Sequence, residues 1–182
     1  MQPKIIGIVA PIRAGKSLAA KYLNMRYGYS IGANSQILKE IASNLSLPHT
    51  RENLKALGDS IFKVLGNDAI AMHRMRNSRD WPIVIEGIRY IEEVRAYRAE
   101  RSFKLIGLKS SEDARYARAL ALAHEGKDQN LDLNAFRQLS VARSEAQVTD
   151  LVKGADFIIN NESTIDDFHR QIDQIMTIWT TG

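Results

Sequence analysis

The run KIIGIVAPIRAGKSLAAKYL, residues 4–23, constrains the fold more than any other part of the chain. KIIGIVA is apolar almost throughout, as a strand buried on both faces of a parallel sheet must be. After the turn, the residues from Gly15 onward carry apolar side chains at helical spacing. A strand, a tight turn and a helix meeting at Gly15-Lys16-Ser17 make an anion site, because the N–H groups of the turn and of the helix N-terminus converge on one spot. Lys16 is placed to reach the β- and γ-phosphates of a nucleotide, and Ser17 to hold Mg²⁺. Ala10 stands where the pattern G-x-x-x-x-G-K-[ST] has its first glycine. That glycine serves turn geometry, and alanine replaces it wherever φ is negative, so the loop is expected to stay competent. Gly15 is retained, where a Cβ is expected to crowd the phosphates.

Further strands are expected at PIVIEGI (82–88), FKLIGLK (103–109) and DFIIN (156–160), with a short one near 29–32. Between them lie the amphipathic stretches NSQILKEIASNL and TRENLKALGDSIFKVLG, the second opening at an N-cap, Thr50. STIDDFHRQIDQIMTIW, capped by Ser163 or Thr164, closes the fold as a helix. This alternation predicts the α/β class, with a five-stranded parallel sheet and helices on both faces. No repeat, low-complexity tract or flexible linker divides the chain. Its 182 residues, 45% of them hydrophobic, therefore read as a single domain, 1–182.

The absence of cysteine excludes disulfides and thiolate metal sites. His49, His73, His124 and His169 have no metal-ligand spacing. No apolar run approaches the roughly 18 residues of a membrane span, and no signal-like segment precedes KIIGIVA, so the expectation is a soluble cytoplasmic protein without membrane partners. A net charge of +4 and a pI of about 9.4 suit anionic partners and are compatible with nucleic acid without requiring it. Oligomeric state is not readable from the residues; a dimer is compatible with them.

The opening run IIGIVAPIRAGKSLAAKYL resembles that of P-loop kinases of the nucleoside monophosphate kinase type. Arg13, just before the glycine-lysine pair, is similar to deoxynucleoside monophosphate kinases of phages and their bacterial relatives. The resemblance implies ATP as donor, bound by Arg13, Ala14, Gly15, Lys16, Ser17 and Leu18, with Mg²⁺ on Ser17. VIEGIRYIEEVRAYR (84–98) resembles the acid-x-x-Arg…Glu-Val signature of these kinases. Glu86 would then lie near Mg²⁺ or the acceptor, and Arg89 would clamp a phosphate bidentately. The structural alternative for Arg89 is an ion pair with Glu92 or Glu93. TRENLKALGDSIFKVLGNDAIA makes Arg51 a candidate for the acceptor phosphate, with a plain surface position as the alternative.

SEDARYARALALAHEGKD looks like the start of a helical lid, about 111–145, whose Arg115 and Arg118 share a helix face and would reach the triphosphate. The alternative is a solvated face. A third arginine common in the family would fall near Leu122 and is absent, which shifts its task to Arg137 or Arg143. NNESTIDDF resembles the loop that holds adenine through backbone contacts, which brings in Asn161. The likeness covers nearly the whole chain, with the phosphate loop its one individually specific part.

Dephospho-coenzyme A kinases, near relatives, carry Asp-Ala-Asp after the second strand, where this chain has GAN (32–34). Deoxynucleoside monophosphate kinases tend to have an aspartate after a serine, where this chain has Ser35-Gln36. Gln36 is accordingly the acceptor-side candidate. A phosphate acceptor is already anionic and needs no general base, whereas an alcohol does. The expected activity is ATP-dependent transfer of the γ-phosphoryl to a (deoxy)nucleoside monophosphate. Two alternatives stand beside it. One is a kinase for an alcohol such as dephospho-coenzyme A or a modified base in DNA, with Glu86 as base. The other is a regulatory protein that binds nucleotide without transferring phosphate.

Overall fold

The computed structural model describes residues 2–78, 80–123, 132–140 and 145–181. Five strands form one parallel sheet: β1 (Ile5–Val9), β2 (Ser30–Ala33), β3 (Ile83–Glu86), β4 (Phe103–Lys109) and β5 (Phe157–Asn160). Their order is β2-β3-β1-β4-β5. In register, Ile8 of β1 lies beside Glu86 of β3 on one side and Ile106 of β4 on the other. The parallel sheet expected from the sequence is thus observed, with the short second strand one residue later than read.

Parallel strands force crossover connections, and the helices supply them. In chain order they are α1 (Lys16–Tyr27), α2 (Asn34–Asn44), α3 (Arg51–Leu65), α4 (Ala69–Asn77), α5 (Ile91–Arg98), α6 (Glu112–Ala123), α7 (Leu133–Ser140), α8 (Val148–Lys153) and α9 (Ile165–Thr181). The period-two alternation of β1 divides the core. Ile6 and Ile8 face Ala19, Ala20 and Leu23 of α1 and Phe168, Ile172 and Met176 of α9. Ile5 and Val9 face Val94 and Tyr97 of α5 and Leu151 and Val152 of α8. Both faces of the sheet are therefore covered, which explains the unbroken apolar character of β1.

Gly7 permits this close packing, since a Cβ there would come within 2.6 Å of Ile88 Cδ1. Asp173 of α9 accepts the hydroxyls of Tyr22 at 2.9 Å and Tyr27 at 2.7 Å, which ties the last helix to the first. Two helices are absent from the sequence reading. Gly66, at φ +99°, ends α3, and α4 begins just beyond it; α8 is only six residues long. Helix α4 carries Arg74, a buried cation that donates to Ala33 O at 3.0 Å. No helix among the described residues is long and apolar enough to cross a membrane.

Candidate active site at the carboxyl edge of the sheet

Open parallel sheets bind ligands beyond the carboxyl ends of their strands, at the point where the strand order reverses. Here β1 ends there, flanked by β3 and β4, and its chain turns through residues 10–15 into α1. Ala10 is fully buried among Ile6, Ile8 and Ala14, and among the described residues it is not one of those with positive φ. Its methyl fills core while its carbonyl faces the site. Gly15 caps α1 at φ +105°, a left-handed conformation that only glycine adopts without strain. The neighbour a Cβ would strike at Gly15 is protein: Asn161 Nδ2, at 2.5 Å. The sequence expectation had placed a phosphate there.

Lys16 Nζ donates back to Ala10 O at 2.8 Å and Pro11 O at 3.1 Å. Burial, and next the Arg89 guanidinium, push its ammonium down to about 7, against the pull of Glu145 and Glu86. A bound polyphosphate would reverse this balance by supplying anions, so binding would take up a proton wherever free Lys16 is neutral. Polyphosphate affinity is therefore expected to fall as pH rises above about 7, by up to about tenfold per unit, and to lose this slope below it. Isothermal titration of ATP across pH checks this, and Lys16→Met must flatten the slope. In the free protein the sign is opposite: the stability tied to neutral Lys16 is full above its ordinary 10.5 and is lost as pH falls towards 7.

Ser17 Oγ donates to Glu86 Oε2 at 2.8 Å, joining the start of α1 to the end of β3. Arg89 Nη1 lies 2.6 Å from Glu145 Oε1 and donates to Ala10 O at 3.3 Å. Its partner is therefore neither Glu92 nor its helix neighbour, but a carboxylate from beyond α7. Glu93 is instead fully buried and accepts the N–H groups of Arg89 at 2.8 Å and Tyr90 at 3.1 Å. Burial pushes its carboxyl up to about 7, in opposition to those N–H groups and to Asn34 Nδ2 at 2.6 Å. Asn34 Nδ2 also donates to Gly87 O, which leaves Asn34 Oδ1 buried without a partner.

From α6, Arg118 donates to Ser110 Oγ at 2.8 Å, Asn161 O at 2.6 Å and Arg13 O at 3.4 Å. Arg115 reaches Ile12 O at 3.3 Å and lies over the Phe136 ring of α7. Both arginines brace the phosphate loop through its carbonyls. Asn161 is buried and donates to Ala14 O at 3.0 Å, so its side chain is spent on the loop. The Ala14 N–H turns to Pro11 O.

Two cavities meet at this edge. One, of about 580 Å³, is lined by Arg13, Gly15, Leu18, Arg118 and Asn161, with apolar walls from Ile12, Leu122 and Ile165. Leu122, where an arginine was missing, is one of these walls. The other, of about 340 Å³, is lined by Asn34, Ser35, Leu38, Phe62, Glu86 and Glu93 among others. Lys16, Ser17 and Arg89 belong to both.

Gln36 is exposed in the first turn of α2 and is not among the lining residues. Arg51 opens α3, and its side chain lies outside what the structure describes, as do Arg143 and His124. Arg137 pairs with Glu112 at 2.7 Å on the exposed face of α7. The sequence reading missed Asn34, Glu93 and Glu145 as site residues. A strand-end position after β2 was the available signal for Asn34 and the Glu-Val pair of the 84–98 signature that for Glu93; for Glu145 there was none beyond residue type.

No family model matches the chain. A UPF0200 protein of Methanothrix thermoacetophila is 29% identical over 173 residues, covering 93% of this chain and 94% of its own length. One from Methanocaldococcus jannaschii is 28% identical over 177 residues, covering 94% and 88%. Among solved structures, a Thermus thermophilus protein superposes with a TM-score of 0.62 at 17% identity, covering 97% of this chain and 98% of its own. Shikimate kinase from Acinetobacter baumannii gives 0.60 at 14%, covering 96% and 93%. A gluconokinase from Sinorhizobium meliloti gives 0.53 at 12%, covering 96% and 92%. The chain thus shares its fold with shikimate kinase and gluconokinase, and in sequence it is similar to UPF0200 proteins.

Proposed function

We propose that this protein is an ATP-dependent phosphotransferase acting on a small acceptor. The observation that carries the reading is the seam of the two cavities, where Lys16, Ser17 and Arg89 face both. A phosphoryl group crossing from one chamber to the other must pass these residues. Transfer of this kind needs positioning and charge neutralisation more than covalent chemistry. Lys16 and Arg89 supply positive charge, the larger chamber's apolar walls suit a purine, and the loop N–H groups suit its phosphates. That kinases recur among the fold neighbours supports the reaction class.

The donor set at Ser17 and Glu86, one hydroxyl and one carboxylate 2.8 Å apart, fits Mg²⁺, which is held by one or two protein oxygens together with phosphates and waters. Among the described residues there is no cluster of three or more His, Cys, Asp or Glu that would form an all-protein cage. Mg²⁺ bound with the triphosphate would neutralise charge on the transferring group.

For the acceptor, the family resemblance favours the 5′-phosphate of a (deoxy)nucleoside monophosphate, gripped by Arg89. One observation favours an alcohol instead. The second cavity presents Glu86 and the unpartnered Asn34 Oδ1, both hydrogen-bond acceptors suited to a ligand hydroxyl. ADP release measured over a panel of mononucleotides, dephospho-coenzyme A and modified-base DNA separates the two, and no ADP from any acceptor would leave a nucleotide-binding regulator. Glu86→Gln then tests mechanism. With a mononucleotide, turnover weakens and the acidic limb of the pH–rate profile survives. With an alcohol, turnover collapses and that limb disappears, because Glu86 is the base.

A further inference from the structure

Arg89 is the point where the two cavities meet, and several side chains hold it in place. Its backbone turn is fixed from three sides. Glu93 accepts the N–H groups of Arg89 and Tyr90, Asn34 donates to Gly87 O, and Gln147 Oε1 accepts the Ile91 N–H at 2.9 Å. Its guanidinium is held by one nitrogen only. Nη1 contacts Glu145 and Ala10 O, while Nε and Nη2 have no partner among the described residues.

We infer that Glu145 is a positioning residue for phosphoryl transfer, anchoring Nη1 of Arg89 so that the rest of the guanidinium faces the seam between the cavities. This rests on the phosphotransferase reading. Glu145 lines neither cavity, so it acts through Arg89 rather than on ligand. Its side chain is 7% exposed and that of Arg89 22%, so water competes poorly for the pair. A planar guanidinium can give one nitrogen to an anchor and still present an edge with two donors to a phosphate, which an ammonium cannot do. Glu145 and Gln147 together clip the chain beyond α7 onto the β3–α5 turn. The two residues that flank Ala146 thus fix the side chain and the following backbone of the same element.

Glu145→Gln keeps the shape and removes the charge. Turnover, measured with the best acceptor of the panel and with water as acceptor, should fall about tenfold or more, a loss larger than any change in ATP affinity. Arg89→Lys should cost far less in the Glu145→Gln background than alone, and Glu145→Asp should recover part of the loss. Nitrogen-15 NMR of the Arg89 guanidinium should show restricted rotation in the wild type and averaging in Glu145→Gln. Full turnover in Glu145→Gln, losses that multiply independently, or a guanidinium still locked without Glu145 would each overturn the inference. A wild type that releases no ADP with any acceptor would instead sink the phosphotransferase reading, with the NMR comparison still deciding whether Glu145 fixes Arg89.

Discussion

Lys16→Met should reduce phosphoryl transfer by about a thousandfold or more and leave the unfolding midpoint near that of the wild type. The two outcomes separate because Lys16 serves the ligand more than the fold. In the free protein its ammonium is spent on two carbonyls of its own loop, Ala10 O and Pro11 O. Its charge is disfavoured there by burial and by Arg89, so removing it relieves a cost that offsets the two lost hydrogen bonds. In the proposed complex the same charge would sit on the phosphate that moves. Rapid-quench assays with ATP and thermal unfolding check the two halves. A Lys16→Met enzyme that keeps a tenth of its turnover would show that the loop does not hold the reacting phosphate.

Gly15→Ala should damage both the fold and the site. At φ +105° an alanine pays about 1–2 kcal/mol for the left-handed backbone alone. Its Cβ would also fall 2.5 Å from Asn161 Nδ2, so the buried amide must leave its bond to Ala14 O, at about 1–3 kcal/mol more. Together these predict a midpoint lower by roughly 5–15 °C, with ATP binding lost in parallel. Calorimetry of the variant, with and without ATP, measures both. An unchanged midpoint would mean that the loop can take another path into α1.

Ala10, by contrast, is a tolerated departure. Its backbone does not need positive φ, and its methyl joins the core, so the glycine of the usual pattern is dispensable here. This part of the loop was legible in the sequence, as was the sheet, because apolar runs and turn residues are local signals. The placement of Lys16, Ser17 and Glu86 at one edge of the sheet was legible for the same reason, each sitting at the end of an element whose pattern is strong. What the residues could not disclose is which distant groups complete the site. Arg89 offered two carboxylates a few positions away, and it pairs with Glu145, from another part of the chain. Asn161 read as a nucleotide contact, and its amide braces the loop from beneath. Such pairings are settled by three-dimensional packing, and residue type carries no trace of them.

The way α9 and β5 support the first helix also has a consequence in time. The phosphate loop leaves the ribosome before its supports do: Asn161 under Ala14, Phe168 and Ile172 against α1, and Asp173 holding Tyr22 and Tyr27. Until those residues emerge, β1 lacks one of its covers and the turn at Gly15 lacks its floor. A nascent chain stalled before Asn161 would carry the whole glycine-lysine-serine motif and still bind no nucleotide. Any competence to bind nucleotide should therefore appear only once β5 and α9 have emerged.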